Sequence, residues 1–288
     1  MKLSIIGAGR VGQTIGRLAR EAGYEIGEVV CRSSRSARAA VKFIGAGAPQ
    51  GAQKANLSKS DIILISTPDD HINDAVEIIL QNAASVGRPV ILHTSGALSS
   101  LVLSLLASSG FSAASCHPLQ TFESPRRALT LIPRTHFCIE GEPRATRAAR
   151  QLVRLIGAKH FEIPTRMKSL YHAAAVMSSA GIAALLSISL EIFSRAGLSP
   201  RAAREILLPL VEGTLTNIHA LGPARAMTGP VRRGDAGTVK RNLEALRSFD
   251  HRALEIYRLL AERSIQLALS AGADRSKLET VRRALKGK

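Results

Sequence analysis

The strongest constraint on the fold of this 288-residue chain is a glycine pattern close to its N-terminus. Residues 2–16 read KLSIIGAGRVGQTIG, a short apolar run followed by Gly7-x-Gly9-x-x-Gly12 and a segment that can form a helix. In a strand–turn–helix unit of this kind, the first glycine permits the tight turn, the second lets the backbone approach a pyrophosphate, and the third lets the helix pack closely on the strand. The alternative is a glycine-rich turn that binds nothing. We predict a dinucleotide-binding turn whose contacts come from Gly7, Ala8, Gly9, Arg10, Val11 and Gly12.

The end of the second predicted strand, residues 26–31, indicates which dinucleotide binds. Where NAD is bound, an acidic residue about 20 residues past the glycines accepts a hydrogen bond from the ribose. Residues 31–35 instead read CRSSR, without a carboxylate, and a guanidinium can bind a 2′-phosphate through two parallel hydrogen bonds. A solvated basic turn is the alternative. We predict NADP as the cofactor, in preference to NAD, with contacts from Arg32, Ser33, Ser34 and Arg35.

Three further predicted strands, at residues 61–68, 90–93 and 111–116, are each followed by a polar segment. In a doubly wound sheet the carboxyl ends of the parallel strands lie beside the ligand crevice, so these segments converge on one edge. The expected cofactor contacts there are Ser66, Thr67, Pro68, Thr94 and Ser95. Gly96 and Gln120 are expected to contact the substrate.

The pattern of the chain changes near Pro164. Before it, short apolar runs alternate with helical segments, including a helix over residues 98–108, and residues 45–51 are expected to form a loop. After it only helical periodicity remains, with one long helix over residues 166–196 and Asp235 and Asp250 as helix caps. We predict an α/β Rossmann domain with a mostly parallel sheet over residues 1–164. An all-α substrate and dimerisation domain is predicted over residues 165–288.

The charge and the aromatic content of the chain limit the classes of partner that it can bind. Its 39 Lys and Arg residues exceed its 22 Asp and Glu residues, for a net charge of +17, but they are spread along the sequence. Aromatic residues make up only 3% of the chain, too few for stacking on nucleic-acid bases. We expect no nucleic-acid partner and assign part of the positive field to attraction of an anionic cofactor and substrate.

The three cysteines, Cys31, Cys116 and Cys138, have neither a disulfide-framework nor a metal-ligand spacing. We therefore predict no metal site and a reducing cytoplasm as the compartment. The apolar N-terminal run is too short for a signal peptide, since glycines and an arginine interrupt it. Residues 173–190 carry no charge and just reach membrane-spanning length, but their small residues favour the central helix of a soluble bundle.

Six motifs in order, GAGRVGQ, STPDDHI, HTSGALSS, HPLQTF, KSLYHAAAV and TGPVRRGD, resemble a bacterial family in which a Rossmann-like domain precedes domain of unknown function 2520. That family is similar to the superfamily with 6-phosphogluconate dehydrogenase-like C-terminal domains, which includes pyrroline-5-carboxylate reductases, ketopantoate reductases and β-hydroxyacid dehydrogenases. The resemblance covers nearly the whole chain and implies an oxidoreductase without identifying its substrate.

Two details of the resemblance concern catalysis. His117-Pro118 resembles the loop of prephenate and arogenate dehydrogenases whose histidine contacts the reacting substrate. Lys168 and His172 resemble the lysine and the downstream polar residue of β-hydroxyacid dehydrogenases, although those enzymes typically have asparagine where this chain has His172. The resemblance therefore leaves open how lysine and histidine would divide the proton transfer.

The residues themselves favour the same cluster. Lys168 and His172 are one helical turn apart on one face, with Tyr171 beside them, and burial would lower the lysine pKa toward the range of a general acid or base. The alternatives are a solvated lysine and a hydrogen-bonded core histidine. We predict Lys168, His172 and His117 as catalytic residues and Tyr171 as a substrate contact.

A second substrate contact is predicted between two helices, at residues 228–235, TGPVRRGD. Backbone flexibility, arginines and a helix N-terminus suit an anion there, and Thr228, Gly229 and Arg232 are the expected contacts. A basic loop capped by Asp235 is the alternative.

Together these features predict an NADP-dependent oxidoreductase that transfers hydride to or from a small carboxylate-bearing hydroxy, keto or imino compound. The alternative is an NADP-binding regulatory or scaffold protein without turnover, which would not require the polar set His117, Lys168 and His172. The helix over residues 166–196 is apolar on more than one face, so we also expect a homodimer.

Overall fold

A computed structural model of the protein describes residues 1–82 and 88–287 and contains one eight-stranded sheet. The strands β1 to β8 are Lys2–Ile6, Glu25–Cys31, Ala48–Gly51, Ile62–Ile65, Val90–His93, Ser112–Pro118, His136–Gly141 and Lys159–Glu162. Their order in the sheet is β3-β2-β1-β4-β5-β6-β7-β8, and every neighbouring pair is parallel except β6 with β7. The prediction of a mostly parallel Rossmann-type sheet is confirmed.

Helices cover both faces of this sheet. The helices α1 to α7 are Arg10–Glu21, Ser34–Ile44, Ile72–Asn82, Ser104–Ser108, Pro125–Leu131, Pro143–Leu155 and Lys168–Ser178. Buried residues of α1, α2 and α6 join one apolar cluster, whereas those of α3 and α4 join a second cluster on the other face. The central strand β4, Ile-Ile-Leu-Ile, is buried along its whole length because both of its faces are covered.

Some local predictions are wrong in this region. The expected loop over residues 45–51 contains β3, an edge strand, and an edge position tolerates Pro49 and Gly51 where a central strand would not. The expected helix over residues 98–108 is a 3₁₀ helix, Ser100–Leu103, followed by the short α4. His117 and Pro118 lie in the last two positions of β6 rather than in a loop, because they pair with β7.

The remaining helices follow residue 179. The helices α8 to α14 are Ala180–Arg195, Pro200–Leu221, Pro223–Ala226, Gly229–Arg233, Ala236–Phe249, His251–Ser270 and Arg275–Leu285. As predicted, Asp235 caps α12 by accepting from the Thr238 N–H at 2.9 Å, and Asp250 caps α13 by accepting from the Ala253 N–H at 2.7 Å. The expected loop over residues 228–235 contains the short helix α11.

The predicted single helix over residues 166–196 is wrong. A 3₁₀ turn, Thr165–Met167, precedes α7, and the helix is interrupted at Ser179, whose φ and ψ are −121° and −81°. Ser178 and Ser179 form a serine pair, and such pairs favour bends because their hydroxyls compete for backbone groups. The interruption separates α7, which carries Lys168, Tyr171 and His172, from α8.

Residue contacts divide the chain into two compact units, Met1–Ser179 and Ala180–Lys288. The predicted functional boundary at residues 164 and 165 stays a prediction. By length and composition alone Thr165–Arg195 could cross a membrane, since its most apolar 18-residue window has a mean hydropathy of 1.9. None of that window is buried within the chain, and its place as the central helix of a soluble bundle stays a prediction.

Candidate active site

The glycine turn between β1 and α1 is shaped by steric requirements. Gly7 has a φ of +84°, and a Cβ there would lie 2.5 Å from Thr67 Cγ2. A Cβ on Gly12 would collide with Ser66 Oγ, which donates a hydrogen bond to the Gly7 carbonyl at 2.7 Å. A Cβ on Gly9, by contrast, would meet no atom within 4 Å. Gly7 and Gly12 are therefore required by packing, whereas the open space at Gly9 leaves room for a ligand.

The N-terminus of α1 presents unpaired backbone donors at this turn. Gly9 is its N-cap, no side chain caps it, and its first turn contains no acidic residue. The Gln13 N–H makes the first intrahelical bond, to the Gly9 carbonyl at 3.0 Å, so the N–H groups of Arg10, Val11 and Gly12 precede it. The Gln13 side chain donates to the Ala8 carbonyl at 2.9 Å and stiffens the turn. The helix dipole and the free N–H groups together suit a phosphate.

The basic segment after β2 lies beside the glycine turn, because β2 and β1 are neighbours in the sheet. Arg32 and Arg35 are exposed. The Ser33 hydroxyl caps α2 by accepting from the Ser36 N–H at 3.2 Å, and Ser34 opens the helix. No acidic residue lies in the first turn of α2. This segment offers two guanidinium groups and a second helix N-terminus, with part of the Ser33 bonding capacity already used.

The other predicted cofactor contacts lie at the same edge of the sheet. Pro68 follows Ser66 and Thr67 directly after β4, and the Thr67 hydroxyl is buried without a hydrogen bond from any described residue. Thr94 follows β5 and its N–H donates to the Ile65 carbonyl at 3.0 Å. The Ser95 hydroxyl accepts from the Leu98 N–H at 3.0 Å, so it shapes its own loop.

A cluster of polar rings lies next to these strand ends, where α7 packs against β6. The Tyr171 hydroxyl is 2.8 Å from His117 Nδ1, and the imidazoles of His117 and His172 meet edge to face with centroids 5.9 Å apart. Gly96 permits this arrangement, since a Cβ there would lie 2.5 Å from His172 Nδ1 and 2.8 Å from His117 Nε2. The structure thus brings together four of the residues predicted from the sequence.

Lys168 lies beneath this cluster. Its side chain is 1% exposed, and its Nζ donates to Ser115 Oγ at 2.6 Å and lies 5.5 Å from the centre of the Tyr171 ring. Burial lowers the pKa of Lys168, while nearby Cys138 and Glu140 act in the opposite direction. The amine is therefore a buried group with a perturbed pKa at a ligand edge, as functional amines often are.

The protonation states of the rings follow from their surroundings. Burial, with smaller effects of Lys168 and His172, lowers the pKa of His117 to about 3, so this imidazole is neutral near pH 7. Burial also raises the pKa of Tyr171, which keeps its proton. The Tyr171 hydroxyl and His117 Nδ1 share one hydrogen bond, and its direction depends on the tautomer of the imidazole. The neutral His117 ring places its other nitrogen, Nε2, next to Gly96.

The remaining predicted substrate contacts are not brought to this cluster within the first unit. The Gln120 side chain folds onto its own loop and accepts from the Thr121 N–H at 2.8 Å. Thr228, Gly229 and Arg232 belong to the second unit, where an Arg232 guanidinium nitrogen donates to the Ala271 carbonyl at 3.2 Å. Their contact with a substrate stays a prediction.

Sequence reasoning missed three buried polar residues beside Lys168. His93, Ser115 and Glu140 lie on β5, β6 and β7 and are at most 3% exposed. In the sequence, these residues are marked only by the occurrence of a polar residue within or directly after an apolar strand, such as His93 after Val-Ile-Leu. The pattern alone cannot show that they share a row, because that depends on the register between strands.

Comparisons with known proteins agree with this architecture. The sequence matches the Rossmann-like domain family over residues 1–118 and domain of unknown function 2520 over residues 135–264. No curated protein matches the chain significantly in sequence.

Several solved structures share the fold across almost the whole chain. Protein TM1727 from Thermotoga maritima is 26% identical with a TM-score of 0.76, and the match covers 93% of this chain and 99% of that one. BF3122 from Bacteroides fragilis, solved as a "putative NADP oxidoreductase", is 20% identical with a TM-score of 0.71, covering 92% and 98%. A reductive aminase from Aspergillus terreus, solved with NADPH and ethyl-5-oxohexanoate, is 17% identical with a TM-score of 0.65, covering 96% and 97%. The chain therefore combines a Rossmann-like domain with domain of unknown function 2520, in the order that its motifs predict.

Proposed function

We propose that the protein is an NADP-dependent oxidoreductase that transfers hydride to or from a small carboxylate-bearing hydroxy, keto or imino compound. One observation carries the proposal: the uncapped helix N-terminus at the glycine turn and the cluster of His117, Tyr171 and His172 lie at the same edge of one sheet. BF3122 of Bacteroides fragilis and the NADPH-bound reductive aminase of Aspergillus terreus share this fold.

The residues at the glycine turn fit a dinucleotide phosphate. The N–H groups of Arg10 and Val11 would bind the pyrophosphate across the open space at Gly9, and no carboxylate in the first turn of α1 would repel it. Arg32 and Arg35, beside the N-terminus of α2 that Ser33 caps, would bind a 2′-phosphate. When bound, the nicotinamide supplies or accepts the hydride.

The cluster supplies the groups that the reacting heteroatom needs. In the tautomer protonated at Nε2, His117 would donate a hydrogen bond to the oxygen or nitrogen of the substrate, and His172 lies beside it to share proton transfer. The Lys168 ammonium, enclosed beneath Tyr171, would stabilise negative charge that develops on that heteroatom, and a field in a dry site is strong because little solvent screens it. Direct proton transfer by Lys168 stays a prediction.

A carboxylate on the substrate is proposed on electrostatic grounds. The net charge of +17 attracts anions, and the neutral His117 imidazole does not repel a cationic imine carbon next to that carboxylate. Thr228, Gly229 and Arg232 are the proposed contacts from the second unit.

We further propose that the protein is a homodimer. The helix α8 has no buried residue within the chain, and α9 exposes large apolar side chains, among them Leu210, Leu215 and Leu221. Apolar faces of this extent mark interaction surfaces. Light scattering at micromolar concentration should give twice the mass of 30.7 kDa, and a strictly monomeric protein would contradict the proposal.

A two-step experiment tests the proposed activity. Calorimetric titration should show tighter binding of NADPH than of NADH. NADPH oxidation should then be followed over a panel of small keto and imino acids, with the corresponding compounds that lack the carboxylate as matched controls. At least one acid should be turned over faster than its control. Tight NADPH binding without turnover of any compound would favour the regulatory or scaffold function instead.

A further inference from the structure

The sheet contains a row of polar side chains where its core is otherwise apolar. His93 of β5 pairs in register with Ser115 of β6, and Ser115 pairs with Glu140 of β7. His93 and Ser115 are fully buried and Glu140 is 3% exposed. A buried polar group without a partner costs roughly 1–3 kcal/mol, so three of them side by side require an explanation.

Two of these residues, together with Lys168, hold the backbone of one residue, Ser95. Lys168 Nζ donates to Ser115 Oγ at 2.6 Å, and Ser115 Oγ in turn donates to the Ser95 carbonyl at 3.5 Å. The Ser95 N–H donates to His93 Nδ1 at 3.2 Å. Both backbone groups of Ser95 are thus bound by buried side chains, at a position where the ladder between strands has ended.

Glu140 anchors the other end of the same loop. Its carboxylate accepts from the Ser100 N–H at 2.7 Å and from the Ser100 hydroxyl at 2.8 Å, at the start of the 3₁₀ helix Ser100–Leu103. The loop between β5 and this helix is therefore fixed at both ends by the polar row.

Ser95 is the residue directly before Gly96, which contacts the cluster of His117, Tyr171 and His172. The Gly96 α-carbon is the surface against which the imidazoles of His117 and His172 lie. A movement of Ser95 would shift Gly96 and would change the distance and angle at which both rings meet a substrate.

His93 can accept the bond only while its ring is neutral at Nδ1. Burial, with a smaller effect of Lys168, lowers the pKa of His93 to about 3, so the ring stays neutral over the whole physiological range. Its proton then resides on Nε2.

We propose that His93, Ser115 and Lys168 form a buried support that fixes the Ser95 backbone and thereby positions His117 and His172 for the reaction. His93 and Ser115 are positioning residues, since both are fully buried and act through Ser95. The consequence for turnover rests on the proposed oxidoreductase function, whereas the fixing of the Ser95 backbone does not.

Two substitutions at His93 separate the hydrogen bond from the packing. His93→Asn places Oδ1 where Nδ1 was and keeps an acceptor for the Ser95 N–H. His93→Leu keeps the volume and removes the acceptor. Hydrogen exchange of the Ser95 amide should stay near the wild-type rate in His93→Asn and should become at least about fivefold faster in His93→Leu, since a hydrogen bond contributes about 1 kcal/mol.

The same two variants, His93→Leu and His93→Asn, should also differ in turnover. His93→Leu should lower kcat about tenfold or more with the NADPH affinity unchanged, because displaced catalytic groups slow the chemical step without altering a distant phosphate site. His93→Asn should restore kcat to within about threefold of wild type.

A second pair of variants covers the case in which His93→Leu does not fold. Ser115→Ala removes the link between Lys168 and the Ser95 carbonyl. Ser112→Ala is its control on the same strand, since the Ser112 hydroxyl is also buried but has no hydrogen-bond partner among the described residues. Ser115→Ala should speed exchange at Ser95 and lower kcat, whereas Ser112→Ala should change neither.

The result that would overturn the proposal is wild-type exchange at Ser95 in both His93→Leu and Ser115→Ala. Faster exchange with unchanged kcat would overturn the positioning of the imidazoles. If wild-type protein binds NADPH but turns over no compound, the proposed function fails, and the exchange rates still decide whether the support exists.

Discussion

The glycine turn and the polar cluster occupy the same edge of one sheet but are specified in different ways. The turn consists of six consecutive residues, Gly7 to Gly12, whose requirements concern a positive φ at Gly7 and Cβ space at Gly7 and Gly12. The cluster combines Gly96, His117 and Tyr171 from three separate elements. A backbone requirement is visible in the local sequence, whereas a cluster depends on register and packing between distant segments.

The glycine turn and the polar cluster also differ in their electrostatics. The turn presents backbone dipoles and, nearby, exposed arginines, which suits a bound anion. The cluster is partly buried, and burial keeps His93 and His117 neutral near the enclosed amine of Lys168. Substitutions should therefore affect cofactor binding and turnover separately.

The largest effect is expected for Lys168→Met, which removes the amine from the cluster and leaves the turn intact. Turnover should fall by roughly 10² to 10⁴-fold while NADPH affinity stays nearly unchanged. Because a buried ammonium carries a desolvation cost, the unfolding midpoint should be equal to wild type or higher. A lower midpoint accompanied by weaker NADPH binding would assign Lys168 to the stability of the fold instead.

Arg32→Ala should have the converse effect. Losing a charge-assisted hydrogen bond to a 2′-phosphate should weaken NADPH binding by roughly 1.5–3 kcal/mol, with little change for NADH. The measurement is calorimetric titration with both cofactors. An equal loss for NADPH and NADH would refute the assignment of Arg32 to the 2′-phosphate.

Two glycine variants distinguish the packing requirement at Gly12 from the proposed approach of the cofactor at Gly9. Gly12→Ala should lower the unfolding free energy by roughly 1–3 kcal/mol, because the new methyl group collides with Ser66 Oγ. Gly9→Ala should leave stability unchanged, since its Cβ meets no atom within 4 Å, yet it should weaken NADPH binding. If Gly9→Ala binds NADPH like wild type, the pyrophosphate does not approach the backbone at Gly9.

The last effect is a dependence of stability on pH, and it reports on the buried histidines. Unfolded histidine has a pKa near 6.5, whereas the folded pKa values of His93 and His117 are each about 3. Between these values the unfolded chain binds the additional protons, so stability rises with pH across this window and is lost as the pH falls through it. His93→Asn should flatten the pH dependence of the urea midpoint between about pH 4 and pH 7, and an unchanged slope would contradict the buried neutral ring.

The sequence predicts most of the fold because its signals are local. The glycine spacing identifies the turn, and Asp235 and Asp250 mark helix starts through their own side chains. The strand β3 is missed because Pro49 and Gly51 are typical of loops, and it forms only because β2 offers a free edge. The interruption at Ser179 is missed because the apolar pattern continues across it.

The site is predictable only in part, because its contacts join segments that are distant in the sequence. The spacing of Lys168 and His172 places them on one helix, but it cannot show that the amine turns inward to Ser115. That contact depends on which residue of β6 lies opposite α7. The roles of His93 and Ser115 become visible only when the strands are assembled.

The central claim, hydride transfer at the edge shared by turn and cluster, is tested most directly by following deuterium from NADPH labelled at both C4 positions of the nicotinamide. With the best substrate of the panel, mass spectrometry should show one deuterium on the reacting carbon of the product. Labelling should be slowed roughly 10² to 10⁴-fold in Lys168→Met at saturating NADPH. Product without deuterium, or labelling at the same rate in Lys168→Met, would contradict the account.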